Sequence, residues 1–452
     1  MKEINIFKRK IYQKMLEWKS SPVQNSALLI EGARRIGKST IVEEFARNEF
    51  KNNYIMVDFR KESDDVKALF NNTKNLDIFF RQFFLSQNKT LTDGGLIIFD
   101  EVQFCPKARE AIKDFVNDGR YRYIETGSLI SIKENVENIM IPSEERRIEM
   151  FPMDFEEFLW ASEGINTYNL FKESITNQIQ IFDSVHHEYL EKFRTYMVVG
   201  GMPKVLSIFL QTNSFKLAND EKLDIIELYK DDLRKHDTKY NTICSSIFDS
   251  IPYQLAKENR RFLIKSTNKK RYEQIEKSLN DLCDFKIINR VNCLSSLESP
   301  VALSVNKEYF KLYFCDTGLL MSMLLKISNE KMNDVCFNFI KGKKIINLGS
   351  LFESIVVQQL TTLNCPLYYH KYSLENNSDH KVKHYEIDLV LERDFKVNII
   401  EIKSSKNYTT SSLDNVKEKY PQLKINKYVF GIKNIKAESD KITLPVYLAI
   451  FI

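Results

Sequence analysis

The run Gly32-Ala33-Arg34-Arg35-Ile36-Gly37-Lys38-Ser39-Thr40 constrains this chain more than any other segment. It satisfies the spacing G-x-x-x-x-G-K-[ST] in full, and its flanks fit the same pattern. Ala27-Leu28-Leu29-Ile30-Glu31 before it is a short apolar run suited to a buried strand. Ile41-Val42-Glu43-Glu44-Phe45-Ala46 after it has a helical pattern. Strand, glycine loop and helix together make a phosphate cradle. Gly32 and Gly37 let the backbone curl so that successive N–H groups face one anion, and the helix N-terminus adds partial positive charge. Lys38 is then expected to reach the β- and γ-phosphate oxygens and Ser39 to ligate Mg²⁺, with Thr40 closing the motif. The loop therefore predicts binding of a nucleoside triphosphate. Arg34 and Arg35 sit inside it, and each either contacts phosphate or a neighbouring subunit or faces solvent.

Such a loop needs a second strand carrying acid. Gly95-Leu96-Ile97-Ile98-Phe99-Asp100-Glu101 supplies one, with four apolar residues and two carboxylates at the C-terminal end. That end is where an open α/β sheet binds its ligands. Asp100 is expected to hold Mg²⁺, mostly through water, and Glu101 to orient and deprotonate the attacking water. Tyr121-Arg122-Tyr123-Ile124-Glu125-Thr126-Gly127-Ser128 reads as the next strand. Thr126 is the better candidate for sensing a γ-phosphate from the adjacent strand, and Ser128 is the alternative. No Asn-Lys-x-Asp segment is present to read guanine, so ATP is preferred over GTP.

A chain of 452 residues is expected to form two to four domains. Apolar residues make up 43%, and glycine and proline are few at 13 and 10, which argues against disorder and long flexible linkers. The formal charge of +5 permits a nucleic-acid partner without requiring one. The seven cysteines include no C-x-x-C pair, so neither a disulfide framework nor a zinc site is suggested, and a reducing cytoplasm is the natural expectation. No window approaches 18 uncharged apolar residues, so no membrane span is expected.

A second constellation lies near the C-terminus. Leu351–Leu360 reads as an amphipathic helix bearing Glu353, His384–Leu391 as a strand bearing Asp388, and Val397–Ser404 as a strand bearing Glu401 and Lys403. Side chains two apart on a strand share a face, so Glu401 and Lys403 point the same way, and Asp388 on a neighbouring strand can join them. This is the D…E-x-K arrangement of PD-(D/E)XK nucleases. Asp388 and Glu401, with Glu353 as a third carboxylate, are expected to bind Mg²⁺ or Mn²⁺, and Lys403 to position and activate the attacking water. Two other readings stay open: charges decorating a sheet edge, or an inherited nuclease fold that does not cut.

GARRIGKST, LIIFDEVQ, YIETGSL, FPMDFEEFLWA (151–161) and VVGGMPKV (198–205) follow one another in that order. The series resembles the prokaryotic AAA-type ATPases that carry a C-terminal domain similar to restriction-endonuclease folds. The resemblance implies an α/β multidomain chain. It would comprise a P-loop AAA+-like three-layer core over residues 1–155, a helical lid over 156–243, a winged-helix domain over 244–335 and a nuclease-like domain over 336–452. It also implies that Gln103 relays the γ-phosphate state, that Arg146 or Arg147 serves as an arginine finger in a homo-oligomer, and that Thr126 is a sensor. The winged-helix reading rests on the helix Arg271–Leu282, with an apolar face at Ile275, Leu279 and Leu282, followed by Phe285–Val291. Arg260, Arg261, Lys265, Lys269, Lys270 and Arg271 at its entrance fit DNA phosphates, in preference to RNA, or form a solvated face. Gly200-Gly201-Met202-Pro203 reads as a tight turn and Asp316 as a helix cap. The expected output is ATP turnover coupled to nucleic-acid binding or cleavage. The alternative is an ATP-driven switch acting on protein partners through a docking domain.

Overall fold

Five parallel strands make the first sheet: β1 (Ala27–Glu31), β2 (Tyr54–Asp58), β3 (Leu96–Asp100), β4 (Arg122–Thr126) and β5 (Glu145–Glu149), in the order β2-β3-β4-β1-β5. The structure, a computed structural model, describes residues 6–21, 26–127, 143–164, 166–240, 243–257, 262, 269–325, 331–343, 348–375 and 382–452. Ser128, Arg260, Arg261 and Lys265 lie outside the described residues, as do the side chains of Lys269, Lys270 and Arg271. The chain divides into two compact units: Met1–Pro152 with Asp284–Lys286, and Met153–Cys283 with Ile287–Ile452.

In the first unit the strands read as continuous apolar runs because helices cover both faces of a parallel sheet. Ala27, Ile55, Val57, Ile97, Phe99 and Tyr123 face an aromatic core. Phe70 sits at its centre, with the rings of Phe59, Phe79, Phe83, Phe99 and Phe115 at 5.2 to 6.3 Å. Each such ring contributes about 1.5–3 kcal/mol by burial alone. The alternate residues Leu28, Ile30, Ile98 and Ile124 are equally buried. They share the other face with Asp100 and Thr126, the face expected to carry the helix Lys38–Glu49 with its buried Ile41, Val42, Phe45 and Ala46.

The second unit joins a helical part to an eight-stranded sheet. The helices include Phe155–Ser162, Asp183–Val199, Pro203–Thr212 and Phe215–Tyr240. The strands are β6 (Ile288–Leu294), β7 (Val305–Phe314), β8 (Leu367–Glu375), β9 (Val382–Arg393), β10 (Lys396–Ile402), β11 (Ile425–Gly431), β12 (Lys436–Ala437) and β13 (Ile442–Pro445), ordered β12-β13-β11-β10-β9-β8-β6-β7. The β6–β7 hairpin follows a helix, Lys269–Asp284, as the wing expectation requires, but it does not stand as a separate wing. β6 pairs in parallel with β8 through Asn292, Cys293 and Leu294, so the hairpin forms one edge of the larger sheet. A two-stranded hairpin is marginal alone, and this pairing gives it a third strand. β9 runs antiparallel to both β8 and β10, and β11 then runs parallel to β10.

Three of the sequence signatures meet in one buried knot. Asp154 caps the helix Phe155–Ser162 and Glu157 reaches back, the reciprocal pair that satisfies two orphan N–H groups. Met153 N donates to Gly201 O at 2.8 Å. Gly201 N donates to Asp316 Oδ2 at 2.6 Å, and Leu319 N to Asp316 Oδ1 at 3.0 Å. A Cβ on Gly201 would lie 2.1 Å from Met153 O, and one on Gly318 would lie 2.6 Å from Gly200 Cα. The glycines are there because three backbones touch. Gln359 accepts from Phe155 N at 3.0 Å, which ties the helix Leu348–Thr361 to the same knot.

Candidate functional site

β4 lies between β1 and β3, so the C-terminal ends of those strands meet at the loop that follows β1. Gly37 opens the helix Lys38–Glu49 with φ +91°, and Arg35 also takes a positive φ of 68°. Gly32 passes so close to Met150 that a Cβ would stand 2.3 Å from its carbonyl oxygen. Arg9, from the N-terminal segment, donates through Nη1 to Ile36 O at 2.8 Å and through Nη2 to Phe151 O at 2.6 Å. The sequence reading had no signal for that clamp, because the two ends are separated by 27 and 142 residues.

Asp100 is the focus of the site. Ser39 Oγ donates to its Oδ1 at 2.7 Å, and Thr126 Oγ1 donates to the same oxygen. Burial pushes the Asp100 carboxyl up from its ordinary value, against those two donors, with Glu101 and Asp58 adding to the rise. Asp58 ends β2 opposite Asp100 and carries Arg60 at 3.0 Å and Lys61 at 2.9 Å. The sequence carries a signal for it, since Tyr54-Ile55-Met56-Val57-Asp58 has the same apolar run ending in acid as β3. Lys38 turns its Nζ onto Gly32 O at 2.9 Å and Ala33 O at 2.8 Å. Burial lowers its ammonium to about 8, against the pull of Glu101 and Asp100, and Arg34 lowers it further. Glu101 takes φ +54° and accepts a hydrogen bond from Gln103 Nε2. Arg35 and Thr40 are exposed at the loop.

The residues present fit Mg²⁺ with a triphosphate. Ser39 and Asp100 are hard oxygen donors, and a half-buried ammonium that donates to two backbone carbonyls among the described residues matches an anion. The two finger candidates part company. Both are exposed, but Arg147 lies 3.7 Å from Glu31 and 3.5 Å from Glu145, whereas Arg146 points to the opposite face of β5. Glu145 also forms a buried two-point pair with Arg109 at 2.7 and 2.8 Å. Burial and the neighbouring Glu145 push Glu125 well above the usual carboxylate range.

At the second constellation, the pairing of Leu389 with Ile400 sets Asp388 and Glu401 side by side at the end of the β9–β10 hairpin. Lys403 Nζ donates to Glu401 Oε1 at 2.5 Å and Ser412 donates to Oε2. Asp388 Oδ2 accepts from Ile402 N at 2.7 Å. Burial pushes the Glu401 carboxyl up to about 7, with Asp388 adding to the rise and Lys403 opposing it. Glu353 is not brought to this pair as a third ligand. It is wholly buried, where Lys311 donates to Oε1 at 2.8 Å and Tyr313 donates to the same oxygen. Among the described residues, no three-donor metal cluster includes Glu353, Asp388 and Glu401. Lys311, which also pairs with Glu386 at 2.7 Å, is the residue that captures Glu353. Strand parity alone could not reveal it.

Residues 24–159 match the family model described as an AAA domain. Residues 190–331 and 348–449 match two models described as domains of unknown function, DUF8612 and DUF4143. No curated protein matches the chain. Among solved structures, the S. cerevisiae Hsp104–ADP complex is similar at 13% identity and TM-score 0.27, over 79% of this chain and 44% of that one. The chain thus spans less than half the length of Hsp104. Drosophila ORC bound to DNA is similar at 11% identity and TM-score 0.25, over 74% of this chain and 94% of that one. TM-scores this low establish no shared overall fold. No helix among the described residues is long and apolar enough to cross a membrane. The AAA-domain match covers the segment that carries Lys38, Ser39, Asp100 and Thr126, and it supports ATP binding and hydrolysis by this chain.

Proposed function

We propose that this chain is a Mg²⁺-dependent ATPase whose nucleotide turnover governs a metal-dependent nucleic-acid site at Asp388, Glu401 and Lys403. The carrying observation is the convergence of Ser39 and Thr126 on one oxygen of Asp100, beside the Lys38 ammonium. Ser39 and Asp100 would hold Mg²⁺, which would supply charge neutralisation on the phosphates. Lys38 exchanges its carbonyl partners for phosphate oxygens. Glu101 orients the attacking water and takes its proton, and Gln103 restrains Glu101 until the nucleotide is in place. Thr126 senses the γ-phosphate side of the site through Asp100. Both finger candidates are exposed, and among the described residues Arg146 is the one without a carboxylate of its own strand beside it, so it is taken as the residue offered to a neighbouring subunit.

The second half of the reading rests on Asp388 and Glu401 side by side, with Lys403 on Glu401. Two carboxylates and a lysine suit a divalent ion and the attack of water on a phosphodiester, in DNA before RNA. One observation favours a second reading, a switch that acts on protein partners through an inactive nuclease-like domain. Glu353 is spent on Lys311 and Tyr313, which leaves two carboxylates where three were expected.

A single experiment separates the readings. Wild type, Lys38→Ala and Lys403→Ala are assayed on single- and double-stranded DNA and RNA, with Mg²⁺ or Mn²⁺, with and without ATP. The expected result is loss of ATP hydrolysis in Lys38→Ala, and loss of cleavage with hydrolysis retained in Lys403→Ala. Failure of the wild type to bind or cut any of these substrates overturns the nucleic-acid reading and leaves the switch.

A further inference from the structure

Three helices of the second unit meet at a group of side chains that neither constellation uses. His236 comes from Phe215–Tyr240, Cys244 opens Cys244–Leu255, and Asp281 comes from Lys269–Asp284. All three are buried, and Cys244 is fully so. One donor atom from each lies within 4.8 Å of the other two, the only such His, Cys and acidic group among the described residues. His236 Nε2 stands 3.1 Å from Asp281 Oδ2. We propose that His236, Cys244 and Asp281 hold a zinc ion that staples these three helices together.

The donor set carries the choice of metal. Thiolate, imidazole and carboxylate are the mixed ligands of a tetrahedral Zn²⁺ site, whereas Mg²⁺ and Ca²⁺ take oxygen alone. Two atoms about 2.0–2.1 Å from one tetrahedral ion lie about 3.3 Å apart, close to the separation of the His236 and Asp281 atoms. Charge also balances. A thiolate and a carboxylate in an apolar interior are costly, and a divalent cation cancels both with the imidazole neutral. Binding releases the thiol proton of Cys244 and the imidazolium proton that His236 shares with Asp281, so both ligand protons leave to solvent and no other reactant is needed. Three protein donors leave the fourth position to water.

The backbone around the cysteine is held in place by a second layer. Asp237, next to His236, accepts from Cys244 N at 2.8 Å and from Ser245 N at 2.9 Å. Ser278, one turn before Asp281, accepts from Ile243 N at 3.1 Å through its hydroxyl. Such outer partners hold ligands in position. Burial of the sulfur closes it to any substrate, which separates this group from a nucleophilic Cys-His-Asp arrangement and suits a structural ion. The sequence suggests no zinc site because the three residues are spaced at eight and thirty-seven positions, outside any short ligand motif.

The test uses the full chain. Metal content is measured by mass spectrometry after purification without chelator or added metal. The metal-free protein, with thiols verified as reduced, is then titrated with Co²⁺. The expected result is one zinc per chain, and on cobalt addition a sulfur-to-cobalt charge-transfer band with the visible bands of tetrahedral Co²⁺. Cys244→Ser should abolish the charge-transfer band. Carboxylate sites at Asp100 or Asp388 carry no sulfur and give no such band, and the other six cysteines are controlled by that variant. Asp281→Asn, a milder change, should weaken Co²⁺ binding by at least the roughly 10–100-fold that loss of an outer partner costs. Sub-stoichiometric zinc with no charge-transfer band in folded wild type overturns the proposal. So does a band that persists unchanged in folded Cys244→Ser.

Discussion

Gln103 donates through Nε2 to Oε2 of Glu101, the carboxylate proposed to activate water beside the phosphate loop. Gln103 is itself buried, in a short turn directly after β3, so the restraint is built into the strand end rather than lent by a mobile surface residue. Glu101→Gln is expected to lower ATP turnover by roughly 10²–10⁴-fold, the usual worth of a positioned base, while nucleotide affinity changes little. Gln103→Ala is expected to raise the basal rate by releasing Glu101. Steady-state phosphate release alongside nucleotide binding checks both, and equal loss of affinity and turnover in Glu101→Gln would deny it the role of base.

Lys38 should make ATP affinity depend on pH. Its ammonium sits near 8 without ligand because burial disfavours the charged form. Phosphate favours the charged form and raises that value on binding. Below about 8 the lysine is already charged and affinity is level. Above it affinity falls, by up to about tenfold per pH unit for one proton taken up. Titrations of a fluorescent ATP analogue between pH 6.5 and 9.5 measure the slope, and a flat profile counts against a Lys38–phosphate contact.

Arg9 clamps the loop from outside the motif. Arg9→Ala removes two charged hydrogen bonds onto Ile36 O and Phe151 O and is expected to destabilise the first unit by about 1.5–3 kcal/mol or more. Chemical denaturation reads the stability change, and nucleotide binding should weaken with it because the loop loses its outer support.

Glu401 should make divalent binding at the second site rise with pH. Burial and Asp388 raise its carboxyl to about 7. Metal competes with that proton, so binding strengthens as pH rises through 7 and weakens below it, by up to about tenfold per unit. Lys403→Met removes an opposing positive charge and should move the transition upward. Calorimetric titration with Mn²⁺ at pH 6, 7 and 8 in both proteins checks the direction.

Gly201→Ala should damage the second unit without touching either constellation. Its Cβ would stand 2.1 Å from a backbone oxygen that cannot swing aside, so the cost is expected to reach or exceed about 3 kcal/mol. Thermal unfolding measures it, and Gly164→Ala, with nothing near its Cβ and a positive φ of 97°, separates crowding from backbone strain.

Much of the first site is legible in the sequence, and much of the second is not. Gly32, Gly37, Lys38 and Ser39 act through backbone geometry within one turn, so their order in the chain nearly specifies their arrangement. Asp100 and Thr126 end apolar strands, and a parallel sheet puts such ends on one edge. By contrast, Glu353 lay on a helix of the right kind, yet Lys311 and Tyr313 from β7 claimed it. A wing-like hairpin became the edge of a larger sheet because β8 offered it a partner. Arg9 met Ile36, and His236 met Cys244 and Asp281, across separations that no local pattern encodes. The sequence by itself determined the phosphate loop, its acidic strand and the E-x-K parity, since each depends on periodicity and covalent reach. Only the tertiary structure decided which buried charges pair, because an ion in a low-dielectric interior takes whatever opposite charge packing brings near it.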